Sequence, residues 1–150
     1  MEGKRYERQR RRRVIVASRN VSASAGIPSP LILIADDSRT IVSMVGSRLE
    51  RSGYEVLTAA NGESALQLAE ERRPALIVLD VEMPGLDGYE VTRRLRAGDA
   101  TRTIPIVLLT SHDTEAEVAA GYEAGATEYI TKPFSPQELE AVIERLLGRR

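Results

Sequence analysis

The sequence predicts an α/β protein in which a parallel sheet of five strands is covered by helices on both faces. Five short apolar runs recur along the chain at intervals of 23, 21, 29 and 23 residues, and each is followed by a segment with helical spacing. The central run, Ala75–Leu79, ends in Asp80 and precedes a turn with Pro84, Gly85 and Gly88. An unbroken apolar run bounded by turn residues is typical of a strand buried on both faces. Regular alternation of strands and helices favours a parallel sheet.

The same alternation predicts where each element begins. The apolar runs start at Leu31, Tyr54, Ala75, Ile104 and Thr127. Asn61 and Asp113 are suitable N-caps for the second and fourth helices. The fifth helix has the clearest signal, because Ser135 is a good N-cap, Pro136 suits the first helical position and Glu138 completes a capping box.

The composition limits the class of protein. The 150 residues are 42% hydrophobic and 29% charged, which is ordinary for a globular domain. The sequence has no cysteine, so disulfides, thiol nucleophiles and zinc–thiolate sites are excluded, and a cytoplasmic location is expected. No apolar run approaches the roughly 18 residues that a membrane span needs.

Charge separates the first residues from the rest. Residues 1–20 hold eight Lys or Arg and two Glu, a net charge of +6, and the remaining 130 residues have a net charge of -7. Residues 1–30 are therefore predicted to be a disordered basic extension and linker, and 31–148 the folded domain. The alternative for the extension is an arm that binds nucleic acid or an acidic membrane, although Tyr6 is its only aromatic residue.

Polar residues follow four of the five predicted strands. The first run ends in Asp36 and Asp37, the third in Asp80, the fourth in Thr110 and the fifth in Lys132. Because the carboxyl ends of parallel strands meet at one edge of a sheet, we expect these side chains to lie together.

Such a cluster indicates chemistry with a cation and a phosphoryl group. Three carboxylates about 5 Å apart repel by roughly 3 kcal/mol per pair at an effective dielectric constant near 20. They need protonation or a cation, and an oxygen-only donor set favours Mg²⁺. An adjacent ammonium and hydroxyl suit an incoming phosphoryl group, which a carboxylate can accept as an acyl phosphate.

Four separated motifs make the prediction specific. They are the acidic pair Asp36–Asp37, the D-x-x-M-P-x-x-D-G turn from Asp80 to Gly88, L-L-T-S ending at Ser111, and Y-I-T-K-P-F ending at Phe134. With these motifs in this order, residues 31–148 resemble a response-regulator receiver domain of two-component signalling, in the CheY-like superfamily. The resemblance implies a flavodoxin-like fold with strand order 2-1-3-4-5.

The resemblance also implies a role for each site residue. Asp80 would accept a phosphoryl group from the phosphohistidine of a histidine kinase or phosphotransfer protein. Mg²⁺ would be bound by Asp37, Asp80 and the backbone carbonyl of Glu82, with Asp36 assisting, often through water.

The remaining implied roles concern the switch. Lys132, before a cis proline, would pair with the phosphoryl oxygens, and Thr110 would hydrogen-bond one of them. Tyr129 occupies the aromatic switch position, and its ring would turn inward as Thr110 moves to the phosphate. Glu82 and His112 flank the route of the attacking water and would set the lifetime of the phosphate.

Simpler interpretations stay open for several of these residues. In these interpretations Asp36 would cap the next helix or act only through its charge, Tyr129 would be a static strand aromatic, and His112 would be an exposed loop residue without partners. Asp87 and Gly88 would be turn formers. Arg93, Arg94 and Arg96 would form a solvated helix face.

Three functions compete. The leading one is an interaction module that phosphorylation controls, which catalyses only its own phosphorylation and dephosphorylation and is not an enzyme toward an external substrate. The second is an aspartate-nucleophile phosphatase, which the D-D-S sequence after the first strand disfavours because those enzymes have D-x-D there. The third is a docking module in which the phosphorylation chemistry is idle.

Partners are only partly predictable. The kinase would be selected by exposed residues of the first helix, such as Ser38, Arg39 and Ser43, and the downstream protein target is unidentified. The protein is expected to be a stand-alone receiver, a relay intermediate or a fragment of a longer chain. It is either monomeric or a homodimer through the fourth helix, fifth strand and fifth helix. Nucleic-acid binding by the folded domain is not expected.

Overall fold

A computed structural model describes residues 29–149. It contains one parallel sheet in the order β2-β1-β3-β4-β5, which confirms the predicted fold. The strands are β1 (Leu31–Ala35), β2 (Glu55–Ala59), β3 (Leu76–Asp80), β4 (Ile106–Thr110) and β5 (Glu128–Thr131). The prediction of a disordered basic extension falls almost entirely on residues 1–28, which lie outside the described range.

Four helices connect the five strands, and a fifth helix follows β5. They are α1 (Arg39–Arg51), α2 (Gly62–Arg72), α3 (Gly88–Ala97), α4 (Glu115–Ala124) and α5 (Pro136–Leu147). Helices α1 and α5 pack on one face of the sheet, and α2 and α3 pack on the other. Within the described residues no helix is long and apolar enough to cross a membrane.

The central strand β3 is fixed by packing on both of its faces. Its alternating side chains point to opposite layers, so Leu76 and Val78 join the core under α1 and α5, whereas Ile77 and Leu79 join the core under α2 and α3. All four are fully buried, and each contributes about 1.5 to 3 kcal/mol relative to an exposed position. The end of β3, where Asp80 lies, is therefore held firmly.

Two predicted helix starts are confirmed. Asn61 accepts a hydrogen bond from the Ser64 amide at the start of α2, and Ser135 accepts one from the Glu138 amide at the start of α5. The reciprocal half of the predicted capping box, from the Ser135 amide to the Glu138 carboxylate, is absent from the hydrogen bonds of the described residues.

The predicted cap of α4 is wrong by one residue. Thr114, rather than Asp113, is the N-cap, and its side chain accepts a bond from the Glu117 amide at 3.2 Å. The Glu117 carboxylate bonds back to the Thr114 amide, so a full capping box forms. Thr114 prevails because only it has a glutamate at the N3 position.

The arginines of α3 do not all form a solvated face. Arg93 and Arg94 are exposed and pair with a glutamate of their own helix. Arg96 instead donates to the carbonyls of Gly125 at 2.8 Å and Ile104 at 2.7 Å. It thereby connects the end of α3 to the end of α4 and to the segment before β4.

A partly buried ion pair joins α1 to α5. Arg48 Nε lies 2.5 Å from Glu140 Oε1, and the Ser52 hydroxyl donates to the other carboxylate oxygen. Burial acts to raise the pKa of Glu140, but the bonds from Ser52 and Arg48 outweigh it, so this pKa lies below its ordinary value of 4.5. Ionised Glu140 therefore stabilises the fold.

We predict that this stabilisation depends on pH. Because the pKa is lower in the folded state, the contribution is complete above the unfolded-state pKa and is lost as pH falls through the folded-state pKa. Glu140→Gln should lower the free energy of unfolding by about 1 to 3 kcal/mol at neutral pH, and by less below about pH 4. Urea denaturation at both pH values measures this difference.

The matched control is Glu50→Gln, an exposed glutamate of α1. It should change stability little at either pH. A difference between wild type and Glu140→Gln that is independent of pH would contradict the assignment.

Candidate functional site

Three carboxylates meet at the carboxyl end of the sheet. One oxygen from each of Asp36, Asp37 and Asp80 lies within 4.8 Å of the other two. They meet because β1 and β3 are neighbours in the sheet and end at the same level, with Ala35 paired to Leu79. The sequence-based expectation that these groups converge therefore agrees with the geometry.

Asp80 is almost completely enclosed. Only 3% of the residue is exposed, and its Oδ1 accepts bonds from the Glu82 amide at 3.2 Å and from Lys132 Nζ at 3.3 Å. Burial and the nearby charge of Asp36 raise the pKa of Asp80 to about 6, although Lys132 acts in the opposite direction. The site thus holds more negative charge than its single ammonium balances.

Asp36 has two structural roles at once. It is 2% exposed, its Oδ1 accepts a bond from the Ser38 amide at 2.9 Å, and its Oδ2 accepts one from Lys132 at 3.1 Å. The capping interpretation of Asp36 is wrong, because Ser38 is the N-cap of α1 and its hydroxyl accepts the bond from the Ile41 amide. Asp36 holds the amide of that cap residue and faces Lys132, so the electrostatic interpretation fits. Asp37, in contrast, is exposed, so its carboxylate borders solvent.

Lys132 lies between the two buried carboxylates. Its backbone amide donates to the Thr110 carbonyl at 2.6 Å, which fixes the end of β5 beside β4. Burial acts to lower the pKa of the ammonium, but the bonds and charges of Asp36 and Asp80 raise it above its ordinary value. The following peptide bond, Lys132–Pro133, is cis as the resemblance implies.

Thr110 is fully buried at the end of β4. Its Oγ1 accepts a bond from the His112 amide at 3.0 Å. Since the hydroxyl is the acceptor in this bond, its proton remains available for another partner.

Gly88 has a larger role than that of a turn former. Its amide donates to the Val81 carbonyl at 2.9 Å, and a Cβ at this position would lie 2.6 Å from the Asp80 carbonyl oxygen. Only glycine allows this close approach, which fixes the loop after Asp80. Asp87 caps α3 by accepting a bond from the Glu90 amide.

His112 has two partners that were not predicted from the sequence. Its Nε2 contacts the Glu82 carboxylate, and its Nδ1 lies 3.4 Å from Glu117 Oε2. His112 is exposed, as predicted, but it connects the loop after Asp80 to the first turn of α4. The resemblance placed Glu82 and His112 beside the same water route, but the direct contacts were not predicted because the three residues come from separate segments.

Tyr129 is half-buried against α4. A Cβ on Gly121 would lie 2.7 Å from Cδ2 of its ring, so glycine is what admits the ring. The Tyr129 hydroxyl donates to the His112 carbonyl at 3.0 Å and lies 3.2 Å from the Tyr89 hydroxyl. His112 therefore contacts Thr110 through its amide and Tyr129 through its carbonyl.

The acidic cluster has the chemistry that Mg²⁺ requires. Its donors are carboxylate oxygens, two of its members are nearly buried, and one is open to solvent. Mg²⁺ takes one or two carboxylates and retains several waters, which such a half-open oxygen site can provide. The residues present thus fit a magnesium ion.

Comparison with known proteins identifies the family. The profile of the family described as "Response regulator receiver domain" matches residues 32–144. The alkaline phosphatase synthesis transcriptional regulatory protein PhoP of Bacillus subtilis (strain 168) is 48% identical over 118 residues, which cover 79% of this chain and 48% of that protein. The phosphate regulon transcriptional regulatory protein PhoB of Pseudomonas aeruginosa is 45% identical over 118 residues, which cover 79% of this chain and 52% of that protein. The chain thus spans about half the length of these relatives.

Solved structures agree with this match. A putative response regulator from Chloroflexus aurantiacus J-10-fl has a TM-score of 0.76 and 41% identity, with 81% of this chain and 100% of that chain covered. The receiver domain of a sensor histidine kinase from Pseudomonas aeruginosa PAO1, solved with magnesium coordinated in its active site cleft, has a TM-score of 0.75 and 32% identity, with 81% and 99% covered. This chain therefore belongs to the family of response regulator receiver domains of two-component signalling.

Proposed function

We propose that Asp80 is the phosphoacceptor of this receiver domain and that its phosphorylation switches a partner-binding face. The observation that carries the proposal is the position of the Lys132 ammonium, 3.1 Å from Asp36 and 3.3 Å from Asp80. A lysine held there can exchange its ion pairs with the carboxylates for an ion pair with a phosphoryl group on Asp80. The family is a signalling domain and not a class of enzymes, so the phosphatase alternative is set aside.

The proposed reaction is in-line transfer to a carboxylate. An oxygen of ionised Asp80 forms a bond to phosphorus as the bond between phosphorus and the donor's histidine nitrogen breaks, and the nitrogen retains that electron pair. Lys132 donates to one phosphoryl oxygen, and the Thr110 hydroxyl donates its available proton to another. Phosphoryl transfer depends mainly on such positioning and charge neutralisation.

A magnesium ion would be held at the same edge. Asp37, Asp80 and the backbone carbonyl of Glu82 would be its protein ligands, and Asp36 would act through water. Such an ion supplies further neutralisation of the carboxylates and the phosphoryl oxygens.

The phosphoryl donor is a phosphohistidine protein that docks beside Lys132. A pocket of about 380 Å³ lies there and is lined by Ile41, Met44, Ser111, Lys132, Pro133 and Phe134. Met44 is 41% exposed, so the pocket offers apolar contact directly beside the reacting groups. An amphipathic helix with a phosphohistidine on its surface fits this combination. Exposed Arg39 and Ser43 of α1 would then contribute to the choice of donor.

The readout is the surface formed by α4, β5 and α5. Thr110 bonds His112, and His112 bonds Tyr129, so a movement of Thr110 toward a phosphoryl group reaches β5 through two contacts. A change of this surface would alter the binding of a downstream protein or of a second copy of the chain. Moving such an equilibrium from 1:99 to 99:1 requires about 5.5 kcal/mol of differential stabilisation.

We predict that acetyl phosphate phosphorylates the protein in a Mg²⁺-dependent reaction. Intact-mass spectrometry should show the gain of one phosphoryl group, and Asp80→Ala should abolish it. Asp99→Ala, the loss of a fully exposed carboxylate, should leave the gain unchanged. With a phosphohistidine protein as donor, Met44→Glu should slow the same transfer. No adduct on wild type, or one that persists in Asp80→Ala, would contradict the proposal.

We also predict that Gly121→Ala disturbs the switch residue and destabilises the fold. The new methyl group would overlap the Tyr129 ring, and such overpacking typically costs about 1 to 3 kcal/mol. Urea denaturation measures this cost, and the NMR signals of the Tyr129 ring report its displacement.

The matched control is Gly46→Ala in α1. Its Cβ would meet only Val56 Cγ1, at 3.7 Å, so higher helix propensity should stabilise the protein by about 0.5 to 1 kcal/mol. Equal effects of the two substitutions would show that the Tyr129 ring does not depend on Gly121.

A further inference from the structure

Tyr89 makes a second set of contacts with the switch residue. It is the second residue of α3 and is half-buried. Its hydroxyl donates to the Glu117 carbonyl at 3.2 Å and lies 3.2 Å from the Tyr129 hydroxyl, which in turn donates to the His112 carbonyl. The two phenol groups thus join four parts of the fold: helix α3, helix α4, strand β5 and the loop before α4.

These hydroxyls have fewer protons than contacts. Tyr89 and Tyr129 each have one hydroxyl proton, but there are three contacts: Tyr89 to Glu117, Tyr89 to Tyr129, and Tyr129 to His112. Two continuous chains are possible. In one, Tyr89 donates to Tyr129 and Tyr129 donates to the His112 carbonyl; in the other, Tyr129 donates to Tyr89 and Tyr89 donates to the Glu117 carbonyl. If each phenol instead donates to its own carbonyl, no proton lies between the two phenol oxygens. The Glu117 carbonyl and the Tyr129 oxygen therefore compete for the Tyr89 proton.

Tyr89 is suited to this competition because it retains its proton. Burial, followed by the bond to Tyr129, raises the pKa of Tyr89 above its ordinary value of 10.0. It is therefore a neutral donor throughout the physiological pH range.

Tyr89 is also anchored to the acceptor loop. The preceding residue, Gly88, bonds Val81 and approaches the Asp80 carbonyl too closely for a side chain. A second connection therefore runs from Asp80 through Gly88 and Tyr89 to Tyr129, beside the one through Thr110. The two connections meet at the Tyr129 hydroxyl.

We propose that Tyr89 is a positioning residue of the switch, which holds Tyr129 on the His112 carbonyl and favours the phosphorylated state. This inference rests on the proposed function, because it assumes that Asp80 is phosphorylated and that Tyr129 reports it. Donation from Tyr89 to Tyr129 directs the Tyr129 proton to the loop that follows Thr110. Loss of the Tyr89 hydroxyl leaves Tyr129 free to leave that carbonyl.

The test is a double-mutant cycle with Tyr89→Phe and Tyr129→Phe. Beryllofluoride with Mg²⁺ serves as the phosphoryl analogue, and its apparent dissociation constant is measured by amide NMR titration of the whole chain. One hydrogen bond corresponds to about a 2- to 10-fold change, so Tyr89→Phe should weaken binding by that factor. In the Tyr129→Phe background, the same substitution should have no further effect.

The controls separate this role from simple packing. Phenylalanine preserves the ring, and the amide spectrum verifies the fold of each variant. Tyr122→Phe is the matched control, since Tyr122 is exposed and its ring centroid lies 6.3 Å from that of Tyr129. It should leave the dissociation constant unchanged.

The outcomes distinguish the two proposals. One outcome is that wild type binds beryllofluoride, that Asp80→Ala abolishes this binding, and that Tyr89→Phe binds as well as wild type or more tightly. This outcome refutes the role of Tyr89, and the proposed function stands. Equal weakening by Tyr89→Phe in both backgrounds also refutes it, because the hydroxyl would then act independently of Tyr129. Absence of Asp80-dependent binding in wild type overturns both proposals.

Discussion

The site depends on one electrostatic constraint: two nearly buried carboxylates share a single ammonium. Removing Asp36 and Asp80 from water is costly, and the attraction of Lys132 offsets only part of that cost. The pKa of Asp80, raised to about 6, reflects the remainder. Such a cluster is a poor source of stability, but it is well prepared to receive additional positive charge and then a phosphoryl group. The sheet supplies the required rigidity, because β3 is buried on both faces.

The same constraint explains how a change at Asp80 reaches the surface. Lys132 is joined through its backbone to the Thr110 carbonyl, and Thr110 bonds the His112 amide. His112 then accepts a bond from Tyr129, whose ring fills the space that Gly121 leaves. Each link is short and involves a buried or half-buried group. A redistribution of charge at the strand ends is therefore expected to alter the packing of α4.

The fold and the convergence of acidic residues were predictable from sequence because their causes are local. Apolar runs specify buried strands, and parallel strands bring their carboxyl ends to one edge. Other features depend on contacts between distant segments. Three such features arise only when helices pack together. They are the bonds from Arg96 to the carbonyls of Gly125 and Ile104, the contacts of His112, and the hydroxyl pair of Tyr89 and Tyr129. The cap of α4 is different, because the glutamate three residues after Thr114 is a local signal that favours Thr114 over Asp113.

The central claim is that Lys132 and Thr110 receive the phosphoryl group that Asp80 accepts. The most direct measurement is a crystal structure of the protein with Mg²⁺ and beryllofluoride. The account predicts the fluoride adduct on Asp80, with Lys132 Nζ and the Thr110 hydroxyl within hydrogen-bond distance of its fluorine atoms. An adduct on another carboxylate, or an Asp80 adduct that leaves Lys132 paired only with Asp36, would contradict it.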